Sequence, residues 1–176
     1  MLPPSARNAA AFVICAVLAG CTLFDSPPQP PCPRVVTLGE AKKVTLYRSG
    51  PGRDLTDVRF QGDIANLVPS CEYDDDGFVD VDVAVEMVFS RGPAAQGDVG
   101  SYVYFVAITD PADNIIAKRE FPIDVEFPSA ALRVGVIEEV TQRIFFAPGS
   151  DASGHRIFIG FQLTREQLDD LRSRRQ

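Results

Sequence analysis

The chain has 176 residues and a formal charge of −7, from 24 acidic and 17 basic side chains. That length suits one domain with a substantial core, and the acidic balance argues against nucleic-acid binding and against electrostatic docking on anionic lipid. The sequence has no tryptophan, but twelve phenylalanines are available for packing.

Residues 1–20 read "MLPPSARNAAAFVICAVLAG", with Arg7 the only charged side chain. A short positive region followed by the apolar run Ala9–Gly20 is the layout of a secretory signal. The run is too short to span a bilayer, which takes ~20 apolar residues. Leu18-Ala19-Gly20-Cys21 closes it, and this segment resembles the lipobox of bacterial lipoproteins. The resemblance implies cleavage before Cys21, a diacylglyceryl thioether on its sulfur and acylation of the new amine. It also implies outer-membrane residence, because Thr22 and not aspartate follows the cysteine. Inner-membrane anchoring and surface exposure are the alternative placements. An ordinary signal peptide or an anchor helix is the plainer reading of the same segment. Lipid chains add ~0.8 kcal/mol per buried methylene, and two or more hold a protein stably on a membrane.

Residues 21–33 follow as a tether, "CTLFDSPPQPPCP". Proline-rich chain of this kind extends by ~3.1 Å per residue, so ten residues reach roughly 30 Å from a membrane. With Cys15 removed and Cys21 lipidated, Cys32 and Cys71 remain as an even pair in an oxidising compartment. A disulfide between them is expected, closing a ~40-residue loop worth about 4 kcal/mol in the chain-entropy model. No CxxC occurs and His155 is the only histidine, so a four-ligand zinc site lacks parts and no metal is expected.

Residues 34–176 read as strands. One or two short strands are expected in Val35–Leu46 and another over Asp57–Val68. In "FVDVDVAVEMVF" (78–89), Val79, Val81, Val83, Val85, Met87 and Phe89 alternate with Asp80, Asp82, Ala84 and Glu86. That is a half-buried strand with one wet face. "YVYFVAIT" (102–109) is apolar on both faces, as a central strand is. In "IIAKREFPIDVEF" (115–127), Ile115, Ala117, Phe121, Ile123, Val125 and Phe127 share a side, broken by Arg119. Pro122 cannot donate to a ladder, which places this strand at an edge or at a bulge. Leu132–Val140 and Arg143–Phe146 read as one interrupted strand or two, and His155–Leu163 as the last strand. Turn signals at 51–54, 74–77, 91–100, 110–114 and 148–154 separate them. The spacing predicts an all-β antiparallel β-sandwich. Thr164-Arg165-Glu166-Gln167 is a capping box, T-x-x-Q, predicting a C-terminal helix over 165–173 that docks Leu168 and Leu171 on the sheet.

"FFAPGSDASGHRIFIGF" (145–161) looks like the turn before a late core strand in immunoglobulin-like and fibronectin type III-like domains. The resemblance implies an immunoglobulin-like sandwich. His155 stands where those domains often carry a tyrosine, and no clear strand follows. "GRDLTDV" (52–58) and "GFQLTREQL" (160–168) give the whole chain the look of small proteobacterial envelope lipoproteins, which implies a location and no chemistry.

Chemical candidates are few. His155 as a general base needs a nucleophile in reach; no G-x-S-x-G is present, and a strand-start histidine is more simply a corner residue. Asp74, Asp76 and Asp80 give part of a calcium-loop spacing with Gly77 at the sharp turn. The competing reading is a hairpin in which Asp76-Gly77 supplies positive φ. Asp80 and Asp82 as paired carboxylates lack a cleft for a sugar. Arg53, Asp54 and Asp57 read as a local ion-pair and turn motif, or as a contact for a partner. No phosphate loop, dinucleotide fingerprint or basic-aromatic patch occurs, and Met87 alone cannot make a copper cluster.

The expectation is a non-catalytic lipoprotein, anchored in the envelope with its domain in the periplasm, that binds or braces another envelope protein. A free sheet edge, in 115–127 or 132–146, is the expected contact. No cofactor, nucleic acid or small-molecule substrate is expected. The alternatives are a binder of lipid or cell-wall fragments with a pocket between the sheets, and a hydrolase using carboxylates.

Overall fold

A computed structural model of the chain describes residues 29–173. The signal segment 1–20, the expected lipidation site Cys21 and residues 22–28 of the tether lie outside the described residues. Two four-stranded sheets form the domain. One contains β2 (Lys43–Tyr47), β3 (Val58–Asp74), β4 (Phe78–Arg91) and β7 (Arg133–Phe145), in the order β2-β3-β4-β7 and antiparallel throughout. The other contains β1 (Arg34–Thr37), β5 (Val99–Thr109), β6 (Ile115–Glu126) and β8 (Arg156–Phe161), in the order β1-β8-β5-β6. It is antiparallel except where β1 runs parallel to β8. A short helix, α1 (Arg165–Ser173), ends the described chain.

The alternation in β4 does what its period dictates. Val79, Val81, Val83, Val85, Met87 and Phe89 are buried, and the residues between them face outward. They meet Tyr102, Tyr104, Val106 and Ile108 of β5 and Ile157, Ile159 and Phe161 of β8 in one continuous core. Phe89 lies 4.6 Å from Tyr102 and 6.1 Å from Phe161, ring centre to ring centre. β5 is buried on its second face too. Ala41, from the turn after β1, packs on Phe105 and Ala107, and its carbonyl accepts Phe161 N–H.

Several boundaries differ from expectation for identifiable reasons. β3 continues to Asp74 instead of stopping at Val68, past a register shift between Ile64 and Asn66. β2 covers β3 only from Val58 to Asp63. Beyond that point one side of β3 is open, and Pro69 sits there without losing a ladder bond. β7 is a single strand, because its pairing with β4 runs unbroken from Arg133 to Phe145. β6 is an edge strand, as Pro122 requires, and Pro122 stands opposite Val103 with no bulge. Its apolar row is buried only from Phe121 onward; Ile115 (66% exposed) and Ala117 remain outside. The break falls at Arg119, in a strand that has a neighbour on one side only. In the 74–77 hairpin, Gly77 takes φ +84° while Asp76 does not leave the ordinary region, so one left-handed residue suffices.

The Cys32–Cys71 disulfide is formed, with Cα atoms 5.9 Å apart. Tyr73, two residues along β3, donates its hydroxyl to Pro31 O at 2.8 Å. The chain's entry point is thus fastened twice to β3.

Candidate functional site

The Arg53-Asp54-Asp57 motif folds into a self-contained device. Asp54 caps a single 3₁₀ turn (Leu55–Asp57), and Asp57 accepts Asp54 N–H at 3.1 Å in a reciprocal capping box. Asp57 is buried beside Arg48, whose Nε lies 2.5 Å from its Oδ1; that contact is ionic, outside hydrogen-bond geometry. Gly52 is obligatory here, since a Cβ would fall 2.3 Å from an Asp57 oxygen. Arg53 donates to Gly50 O and Gly52 O, lies over the Tyr47 ring and reaches Glu166 on α1. Arg53 joins the loop to the helix, while Asp54 and Asp57 hold the loop together and face Arg48.

α1 starts where the capping box put it: Gln167 N–H donates to Thr164 Oγ1 at 3.2 Å and Thr164 N–H to Gln167 Oε1 at 2.8 Å. Gln167 Nε2 also donates to Thr45 O at 3.3 Å. Leu168 and Leu171 are half-buried. The helix therefore lies along the β2 edge, not on a sheet face. Between helix, β2 and the 3₁₀ loop is an open cleft of about 510 Å³. Of its arginines, Arg48 and Arg53 are answered by Asp57 and Glu166, and Arg59 lies over the Phe60 ring.

The acidic hairpin does not gather its carboxylates. Asp74 Oδ1 accepts Asp76 N–H at 2.8 Å in an Asx turn. Asp80 is gripped by Arg143 through two hydrogen bonds, 2.8 and 2.7 Å. That grip holds the Asp80 carboxyl below the usual carboxylate range. Asp82 accepts Thr141 Oγ1 at 2.5 Å. Both acids tie β4 to β7, and among the described residues no group of three or more potential ligands is placed to hold a metal ion. His155 precedes β8 with Nδ1 3.3 Å from Ala152 O, and the cysteines that remained as nucleophiles are bridged.

What the sequence reading missed sits on β7. Its inward row is Val134, Val136, Glu138, Val140, Gln142 and Ile144, half-buried or buried. Glu138 interrupts that apolar row, and its charge acts on the Tyr104 hydroxyl from β5. Burial, together with the Glu138 charge, pushes the Tyr104 hydroxyl up to about 12. A lone acid in an alternating apolar stretch was the available signal.

The outward row of β7 is exposed at every position: Arg133, Gly135, Ile137, Glu139, Thr141, Arg143 and Phe145. The backbone of these same residues is open. Leu132 O accepts Arg91 N–H and Phe146 N–H donates to Gly77 O, so even-numbered residues address β4 and odd-numbered ones address the free edge. β6 is the matching edge of the other sheet, but its outward backbone includes Pro122, and Lys118 and Glu120 pair across its surface at 2.9 Å. Proline and charge blunt an edge against pairing. β7 carries no proline and exposes Ile137 (65%) and Phe145 (70%).

Protein-family models, curated proteins and solved structures were all compared with the chain, and none matches it.

Proposed function

We propose that the protein is a non-catalytic lipoprotein, held on the outer membrane through Cys21, whose β-sandwich binds or braces another envelope protein in the periplasm. The observation that carries this reading is a side-chain-filled interior combined with a long open edge. Twenty-one buried residues, from Val44 to Phe161, make one core between the sheets, where a ligand binder would need space. Asp57 and Thr109 are the only buried polar residues among those described, so no two buried carboxylates converge as a hydrolase would need. The immunoglobulin-like part of the reading is one of architecture. Three consecutive strands share a sheet here, unlike the ABED and CFG sheets of immunoglobulin constant domains.

The test is crosslinking in intact cells followed by mass spectrometry of what copurifies. A specific envelope protein crosslinked to the sandwich is the expected result; recovery of only bulk abundant proteins defeats the reading. Changing Cys21 to serine should move the protein from the membrane pellet to the soluble fraction, and a variant that still pellets removes the anchor.

A further inference from the structure

The edge of β7 is complementary to itself. We propose that it pairs with the β7 edge of a second copy of this chain, antiparallel, about a twofold axis at Thr141. This goes beyond the reading above, because it requires only the described domain and neither the anchor nor a foreign partner.

The register follows from backbone parity. Hydrogen-bonded pairs must join residues whose N–H and C=O face the free edge, and these are the odd-numbered residues of β7. Placing Thr141 opposite Thr141 of the second copy sets Glu139 opposite Arg143 and Ile137 opposite Phe145, and the twofold repeats each pair. The two large apolar side chains most exposed along the strand then cover each other. Glu139, which has no ion-pair partner among the described residues, gains one. Arg143 keeps its hold on Asp80 and receives Glu139 from the other side, as a guanidinium with five donors can. Opposite-charge and apolar pairs directly across an antiparallel ladder each add stability, and like charges there subtract it. Centring the axis on Ile137 or Glu139 loses the pattern: the first sets Arg133 against Thr141, the second sets Glu139 against itself.

The inward acid does not block this edge. Glu138 lies on the inward, half-buried row of β7, away from the ladder direction. The interface is isologous and closes at two copies. It joins the sheets β2-β3-β4-β7 of both copies into one of eight strands. A single strand seam is smaller than the ~1,200–2,000 Å² of stable complexes, so the pairing is best read in the cell, at native concentration.

The experiment coexpresses two full-length copies with different tags and asks whether one recovers the other. Wild type should copurify with itself. Glu139→Arg puts two arginines opposite each other at both ends, and recovery should fall roughly tenfold or more. Arg143→Glu puts two glutamates opposite each other and should behave alike. Coexpressing the Glu139→Arg copy with the Arg143→Glu copy restores opposite charges at every contact, so the two should recover each other. Far-ultraviolet circular dichroism of each variant checks that the sheets are intact, and Glu139→Gln serves as a milder variant if Arg143→Glu does not fold. Wild-type copies that fail to copurify overturn the proposal. So does copurification that Glu139→Arg leaves unchanged, or a mixed pair that is not rescued. Recovery of a different protein on an intact β7 edge, without the second copy, also overturns it, while supporting the function proposed above.

Discussion

At the scale of single residues, the structure gives the local ion-pair and turn motif of 53–57 its partners. Asp57 is the clearest case. It is buried, caps the 3₁₀ turn and faces Arg48. Replacing it with alanine leaves Asp54 N–H without its acceptor and the Arg48 guanidinium without its counter-charge, and should cost about 1–3 kcal/mol, read as a lower denaturation midpoint in urea. Charge also sets the pH limits of the fold. Asp80 titrates below its ordinary range because Arg143 bonds its charged form. The stability from that pair is therefore complete above the unfolded carboxylate range and is lost as the pH falls through the depressed folded value. Tyr104 behaves in the opposite sense. Its hydroxyl sits at about 12 against the usual 10.0, so its contribution to stability is complete below pH 10 and is lost as the pH climbs toward 12. Stability measured across pH should thus fall off at both ends. Tyr104→Phe should flatten part of the alkaline limb, with Tyr102 and Tyr73, whose hydroxyls burial also raises, contributing to the remainder.

At the scale of elements, legibility followed local rules and failed where neighbours decided. β4 was readable because one face is core and the other is wet, and α1 because its capping box is written within four residues. The extent of β3 was not, since Pro69 speaks against a strand unless one side of that strand is known to be open. β7 reads as two pieces in sequence because Thr141-Gln142 is polar, yet β4 supplies a continuous partner ladder. The outer half of β6 shows the converse: its residues alternate correctly, but its place at the sheet edge leaves Ile115 and Ile116 in water. Two element-level outcomes are expected. Replacing Cys32 and Cys71 together with serine should cost about 4 kcal/mol by the loop-entropy estimate, seen as a shifted denaturation midpoint that reductant reproduces in the wild type. Thr164→Ala should cost about 1 kcal/mol of helix stability. Faster amide exchange confined to 165–173, with the strands unchanged, would report it.

At the scale of the whole molecule, the sequence motifs that looked chemical turn out to hold the domain together: Arg53 fastens a loop to α1, Asp80 and Asp82 stitch β4 to β7, and the cysteines are joined. The cysteine pairing was legible in the sequence, but the partners of Arg53, Asp80 and Asp82, 59 to 113 positions away, were not. What remains unspent is the β7 edge. The bridge at Cys71 has a further meaning under the anchorage proposed above. Load arriving along the residues ahead of Cys32 is passed by the covalent link to β3, a strand laddered to β4 along its length from Phe60 to Asp74. Without that link the same pull would fall on β1, four residues clipped to β8, and peel it away first. A pull on the segment before Cys32 would thus be delivered to the best-anchored plank of the domain, while the frail leading strand rides slack.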